Sequence, residues 1–546
     1  MAFPDVENED ADHRLFPMSR ELFAREALAQ IPKILTLQDR NAHSATYGCF
    51  DRNFWHYKII DFPCGMSPEF VWPLALAYSL PIAGNPYYHQ AAIKEWAAAG
   101  IRYAARSAHP DGSCDDYFPY EKAAGAAAFT LLAGLETYRL LGLHDEEMLE
   151  FFAKRADWLA GHHESGRLTN HQALIVLCLE KVGRLFESQT WDKWKAKRFK
   201  RVLEWQNDEG WFQEYEGCDP GYHTLTIGLL AQLYELTPSE PLKIALQKAI
   251  LFAAHFVHPD GSFGGEYTSR NTYNFFPHGF ELAGQWLPAA LEINDRFLVG
   301  LGSGLGSCYA DDHIIGHHTW SYLLAYEHWI AQRPVPSPRP EGRLHFKEAG
   351  IVIERHGAAV LFLALNKGGV FKFFRGARLV HSDTNFSARV EEGKGRTAVA
   401  HMVGKYDVKL TESEIAIRGR LGWAKTKGMT TFNLVVLRFL MLSVGRFFPD
   451  LIRKLLQRLL ITGKKPAPLS FTRRLVWEQE RLKVIDELMA KDWEKVREVG
   501  IGASQTSIYV VMSRTYQAGQ MQPWLDLTER LRSVAAGAPL TLERTL

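Results

Sequence analysis

From residue 20 to residue 332, apolar positions recur at helical spacing, and the runs are broken by short turns rich in Gly, Asp, Pro and aromatic residues. Almost nothing in this stretch alternates as a half-buried strand would. One turn recurs. "HPDGSCDDYFPYEKAAGAAAFTLLAGLETY" from 109, "NDEGWFQEYEGCDPGYHTLTIGLLAQLYEL" from 207 and "HPDGSFGGEYTSRNTYNFFPHGFELAGQWL" from 258 each pass from an acidic residue and a Gly through an irregular polar and aromatic stretch into a helix. With Gly166 of "SGRLTNHQALIVLCLEKVG", the glycines stand at 112, 166, 210 and 261, in steps of 54, 44 and 51. "YGCFDRNFWHYKIIDFPCGMSPEFVWPLALAYSL" before them and "GSGLGSCYADDHIIGHHTWSYLLAYEHW" after them read as outer members of the same series, about six units in all. Each unit has room for two helices and must stack on its neighbours to bury its apolar face, so the pattern predicts an N-terminal (α/α)6 toroid of helical hairpins.

The pattern changes after the proline-rich "RPVPSPRPEG" at 333–342. "GIVIERH", "AAVLFLAL", "GVFKFFRGARLVH", "RTAVAHMV" and "YDVKLTESEIAIRG" are short, β-branched or aromatic, and punctuated by Gly or charged turns. "LSFTRRLVWEQERLKVIDEL" and "TSIYVVMSRTYQ" read as the last strands. The chain therefore divides into a tail (1–19), the toroid (20–332), a linker (333–342), an antiparallel β-sandwich (343–530) and a C-terminal tail (531–546). Inside the β region, 431–465 is a basic, apolar helical insert. Up to residue 468 this stretch carries seven Lys or Arg against Asp450 alone. Arg438, Arg446 and Pro449 interrupt it too often for a membrane-spanning helix. Two readings stand: peripheral contact with a membrane, Arg438, Arg446, Arg453, Lys454, Arg458, Lys464 and Lys465 meeting anionic head groups, or a hairpin packed on the β domain.

Composition adds limits. With 546 residues, 47% hydrophobic and 12% aromatic, the chain can build large cores. A net charge of +1 gives no global attraction to nucleic acid, and none is expected as a partner. The acidic start "MAFPDVENEDADHRLFP" lacks a secretory pattern, so the chain reads as cytoplasmic. The six cysteines form no CxxC pair and read as free thiols.

In a toroid whose helices alternate between two rings, the glycine turn leads into an inner helix, and the first turn of that helix lines the mouth of the cleft. Asn170 and His171 fall there. So do Tyr222 and His223, then Arg270, Asn271, Tyr273 and His278, then His317 and His318. Such an aromatic, hydrogen-bonding cleft suits a sugar polymer. Plainer roles exist for each: Thr169 or Asn170 as a helix cap, Tyr222 as a core aromatic, Arg270 and Tyr273 as loop braces. Trp205, Trp211, Phe212 and Tyr215 fit sugar stacking or hairpin packing equally. His313, His317 and His318 show no HExxH or other strong ligand spacing, and metal content stays open.

An α toroid followed by an antiparallel β domain, with Asn-His opening one inner helix and a Tyr opening the next, resembles the heparinase II/III-like polysaccharide lyases and their alginate-lyase relatives over roughly residues 40 to 530. "TNHQ" offers Asn170 and His171, "EGWFQEYEGCDPGYH" offers Tyr222, and "LVHSDTNFSARV" keeps His381 and Asp383 of a segment that the family's β domain brings to the cleft. The resemblance implies β-elimination on a uronate-containing acidic polysaccharide or oligosaccharide, with no cofactor. Asn170 would neutralise the uronate carboxylate, and His171 and Tyr222 would serve as base and acid in an order left open. His223, Arg270, Asn271, Tyr273, His278, His317 and His381 would bind substrate. The alternatives are a toroid glycoside hydrolase, with Asp115, Asp116, Glu214, Glu216, Asp219 and Glu266 as candidate carboxyl groups, and a non-catalytic glycan-binding protein of surface-polysaccharide assembly.

Overall fold

Six helices of the N-terminal region are apolar almost all round and buried accordingly: Val71–Ser79, Ala124–Leu140, Thr169–Leu185, Pro220–Leu236, His278–Gly284 and Asp312–Glu327. Each packs on the next, and Asp312–Glu327 returns to pack on Val71–Ser79, which closes an inner ring. The helices Ala91–Ser107, Glu146–Gly161, Asp192–Glu204, Glu240–Ala253, Ala289–Gly302 and Glu21–Leu28 are amphipathic and bury only one stripe against that ring. Glu21–Leu28 packs on Asp312–Glu327 and supplies the outer partner of the last inner helix. The result is an (α/α)6 toroid. This computed structural model describes residues 19–164, 166–214, 217–306, 312–391, 395–424, 430–457, 465–505 and 521–546. Tyr215, Glu216, Cys308, Arg458, Lys464, the strand expected at 506–517 and most of the expected N-terminal tail lie outside the described residues, as does the side chain of His313.

The repeated glycines have a steric cause. Gly112, Gly166, Gly210 and Gly261 all have positive φ, between 82° and 104°. At three of them the backbone also touches the following outer helix. A Cβ on Gly112 would meet Arg155 N at 2.7 Å, one on Gly210 would meet Lys248 O at 2.4 Å, and one on Gly261 would meet Gly300 N at 2.3 Å. The turn thus fixes both the chain reversal and the spacing between hairpins.

The helix Asp312–Glu327 is followed by irregular chain up to β1 (Gly342–Phe346). β1, β2 (Ile351–His356), β3 (Ala359–Ala364), β4 (Val370–Arg375) and β5 (Arg378–Asp383) form a five-stranded antiparallel meander. A second sheet has, among the described residues, nine strands: β6 (Phe386–Val390), β7 (Arg396–Val399), β8 (Asp407–Leu410), β9 (Glu414–Trp423), β10 (Pro466–Glu478), β11 (Arg481–Ala490), β12 (Val496–Ile501), β13 (Leu525–Asp526) and β14 (Leu540–Thr545). Its order is β13-β12-β6-β7-β9-β10-β11-β14, with β8 added to β9. The meander is buried on both faces. Val352, Leu361, Leu363, Phe371 and Phe373 join Ile415, Ile417 and Leu475 of the second sheet in one core, whereas Ile351, Ile353, Val360, Phe362 and Phe374 belong to the core of the toroid. Phe362 lies 4.6 Å from the His258 ring and 5.6 Å from that of Tyr267. Burial on both sides explains the unbroken apolar run of β3.

Two expectations change here. Residues 531–546 are not simply a tail, because β14 pairs with β11 and buries Leu540 and Leu542. The insert between β9 and β10 forms the helix Thr431–Leu440, a wide turn at Met441–Gly445 and the helix Pro449–Gln457. Its described residues pack on the toroid. Met441 and Ile452 close on Phe118 of the toroid, with Leu437, Leu440, Leu456 and Tyr120 around them, and Arg438 bonds Asp61 at 3.0 Å.

Candidate functional site

A cavity of about 90 Å³ lies at the first turns of the inner helices. Gly125, Ala126 and Phe129 line it from one inner helix, His171 from the next, Tyr222 from the third, and Ile314 and His317 from the last. Met66, Asp116, Tyr117, Glu121 and Arg270 come from the intervening loops, and Arg453 comes from the insert. Of the residues proposed from sequence, His171, Tyr222, Arg270 and His317 therefore meet at one place.

His171 is held on two sides. Its Nδ1 lies 2.6 Å from Oε2 of Glu164, a buried carboxylate in the loop before the helix. The ring occupies the space that a side chain at Gly125 would need, since a Cβ there would come within 2.5 Å of Cε1. With Nδ1 committed to Glu164, Nε2 is the nitrogen left for exchange chemistry. Burial alone would raise the pKa of Glu164, but Arg453 and His171 outweigh it and hold the carboxyl well below its usual range. His317 is fixed in the same manner, its Nδ1 2.6 Å from Oε1 of Glu69 and its ring stacked on Phe129 at 4.0 Å.

Tyr222 and Arg270 form the opposite group. The Arg270 guanidinium carbon sits 3.8 Å over the Tyr222 ring, and its Nη1 lies 3.3 Å from Oε2 of Glu214. Asp219 ties the two backbones together, since Oδ1 accepts from Tyr222 N at 3.0 Å and Oδ2 accepts from Arg270 N at 3.1 Å. Asn170 stands behind this group and not in the cavity lining. It is fully buried, donates from Nδ2 to Glu214 at 2.7 Å and from its backbone N–H at 3.0 Å. Burial raises the pKa of Glu214, and Arg270 and Asn170 partly offset that rise.

Sequence reasoning missed three charged residues at this site. Glu164 is one. Glu121 lines the cavity and accepts from Tyr117 N at 2.7 Å; burial pushes its pKa up to about 7, with Arg453 opposing and Asp116 reinforcing the rise. Arg453 is paired with Glu164 and lies 3.9 Å from Glu121. Glu164 had a sequence signal, a carboxylate two residues before the repeat glycine. The placement of Arg453 had none, because it depends on how a distant insert folds back.

The remaining candidates lie away from this lining. His223 bonds Ala249 O through Nε2 at 2.9 Å between helices, and burial lowers its pKa to about 4. His278 is buried beside His328, with ring centroids 5.0 Å apart, and burial keeps it well below its usual value. Asn271 accepts from Lys367 of the β domain, and Tyr273 donates to Glu266 at 2.6 Å while accepting from Lys372 at 2.8 Å. His381, on β5, lies 3.8 Å from Asp383, whose carboxylate is locked between Arg473 and Arg544. Among the described residues, no group of three His, Cys, Asp or Glu side chains is arranged to hold a metal ion.

No family model matches the chain, and no curated protein matches its sequence. Solved structures do match. A Paenibacillus xanthan lyase superposes with a TM-score of 0.54 at 9% identity, covering 89% of this chain and 46% of that one. A mutant chondroitin AC lyase of Streptomyces coelicolor A3 superposes with a TM-score of 0.52 at 10% identity, covering 100% of this chain and 80% of that one. The chain thus spans about half the length of the xanthan lyase chain, at 46%. At these identities the likeness is one of fold: the helical toroid with antiparallel β-sheets is an architecture of polysaccharide lyases.

Proposed function

We propose that this protein is a polysaccharide lyase, of the heparinase II/III-like kind, that cleaves a uronate-containing acidic polysaccharide or oligosaccharide by β-elimination. The observation that carries the reading is the meeting of a carboxylate-anchored imidazole, His171, with a phenol under a guanidinium, Tyr222 and Arg270, brought together by the first turns of two inner helices and the loop before a third.

The chemistry requires a weakly acidic C5 proton to leave beside a carboxylate. Arg270 takes the part that Asn170 was expected to play. Its guanidinium pairs with the uronate carboxylate and stabilises the negative charge that builds as the C5–H bond breaks. Asn170 acts through Glu214, the carboxylate against which Arg270 is set. His171 and Tyr222 divide the proton transfers: one accepts the C5 proton, the C4–O bond breaks as the C4–C5 double bond forms, and the other protonates the leaving oxygen. Glu121, which keeps its proton up to about pH 7, is a further donor at the same cavity.

A glycoside hydrolase on this fold needs two carboxyl groups flanking the bond. Asp115, Glu214, Asp219 and Glu266 are each taken up by neighbouring donors, and Asp116 and Glu121 come from a single loop, where Glu121 accepts from the backbone N–H of Asp116 and the Asp116 carboxylate accepts from Cys64 Sγ. Incubation with a panel of uronate polymers, followed by ultraviolet absorbance of the new double bond, tests the lyase reading. Reducing ends without that absorbance would establish hydrolysis instead.

A further inference from the structure

The cavity is small. Ligand clefts usually measure roughly 300–1,000 Å³, and here about 90 Å³ remains with Arg453 among the lining residues. Through Arg453 the insert covers part of the cavity, and both ion pairs and an apolar cluster hold it there. Arg453 pairs with Glu164, Arg438 pairs with Asp61, and Met441 and Ile452 close on Phe118.

The other side of the insert is apolar and bare. Phe432, Phe439, Phe447 and Leu451 are 75%, 73%, 64% and 63% exposed, with Val435 and Phe448 beside them. An apolar surface of this extent marks an interaction site. Its charge selects the partner. Residues 430–457 carry Arg438, Arg446, Arg453 and Lys454 against Asp450 alone, and Arg446 and Lys454 are exposed among the apolar side chains. Aromatic and aliphatic side chains with interspersed cations fit the boundary between acyl chains and anionic head groups. No helix among the described residues is long and apolar enough to cross a membrane, so this element would lie in the interface.

We propose that residues 430–457 form a lipid-docking cover, which closes the cavity in the free protein and is drawn off it when the insert embeds in an anionic lipid surface. In lipid, both apolar faces of the insert are buried, and Arg438 and Arg453 exchange protein carboxylates for lipid phosphates. Glu164 then keeps His171 as its partner, and the cavity gains the space that Arg453 occupied. The proposal rests on the cavity being the site of the reaction proposed above, but its test needs no substrate.

The full-length protein is floated with vesicles of phosphatidylglycerol and phosphatidylcholine, and with phosphatidylcholine alone. Hydrogen exchange at segments 117–122 and 158–164 is followed with and without the mixed vesicles. Binding to the anionic vesicles should exceed binding to the neutral ones at least tenfold. The triple variant Phe439→Asp, Phe447→Asp, Leu451→Asp should lose it while keeping its circular dichroism spectrum. Exchange at both segments should accelerate on binding. Equal flotation of wild type and variant would overturn the docking surface, and flotation without faster exchange would overturn the cover. A wild-type dimer that the variant dissolves, with no vesicle binding, would make a second copy of the chain the occupant and overturn the proposal.

Discussion

Nδ1 of His171 lies 2.6 Å from Oε2 of Glu164, and the other oxygen of the same carboxylate pairs with Arg453 of the insert. One buried carboxylate thus orients the candidate proton carrier and anchors the element that covers it. His171→Ala should lower turnover on the order of 10²- to 10⁴-fold, the usual worth of a placed acid or base. Glu164→Gln keeps the shape but loses the charge that fixes the imidazole, and should lower kcat with little change in KM. A Glu164→Gln enzyme with wild-type kcat would remove the orienting role.

Asn170→Ala now carries a different expectation from that of a residue touching substrate. It strips buried Glu214 of one donor, so the melting temperature should fall, at a cost of about 1–3 kcal/mol. Arg270→Ala should lower kcat/KM more than any loss of stability explains. A destabilised Asn170→Ala protein with normal kcat/KM would separate the two roles, whereas loss of turnover at full stability would return Asn170 to the cavity.

The pH dependence of stability follows from two carboxyl groups of opposite sign. Burial raises Glu121 from 4.5 to about 7, so its contribution is complete below pH 4.5 and is lost as pH rises through about 7. Glu164 is depressed below 4.5, so its contribution is present above that value and is lost as pH falls further. In melting curves from pH 4 to 8, Glu121→Gln should flatten the decline between pH 4.5 and 7. An unchanged slope in that window would refute the assignment.

Much of this was legible in sequence because it answers to local rules. Positive φ favours glycine at 112, 166, 210 and 261, and close backbone approach requires it at 112, 210 and 261, so the repeat showed itself. All-round apolar helices can only be an inner ring. Which first-turn residue enters the cavity was not legible, because neighbours on a helix point about 100° apart. His171 and Tyr222 line the cavity, while Asn170 turns to Glu214 of the neighbouring loop and His223 to Ala249 O of an outer helix. Arg453 and Glu164 are far apart in sequence, and no periodicity carries that pairing.

His381 and Asp383 sit in a structural network and not in the cavity lining. Arg473 is fully buried between Asp383 and Asp486, and Arg544 bridges the same two carboxylates. Arg473→Leu leaves buried carboxylates underpaired and should cost about 3–5 kcal/mol. Denaturant unfolding measures this; a loss below about 1 kcal/mol would show that the network contributes little.

The central claim is elimination at the cavity shared by His171, Tyr222 and Arg270. The most direct measurement is the absorbance of a C4–C5 unsaturated uronate, followed for wild type and Tyr222→Phe on a panel of uronate polymers. Tyr222→Phe keeps the ring under Arg270 and removes only the hydroxyl. Wild type should generate the chromophore, and the variant should bind equally but react on the order of 10²- to 10⁴-fold more slowly. Elimination by the variant at the wild-type rate would contradict the site, and the absence of unsaturated product from every uronate polymer would contradict the activity.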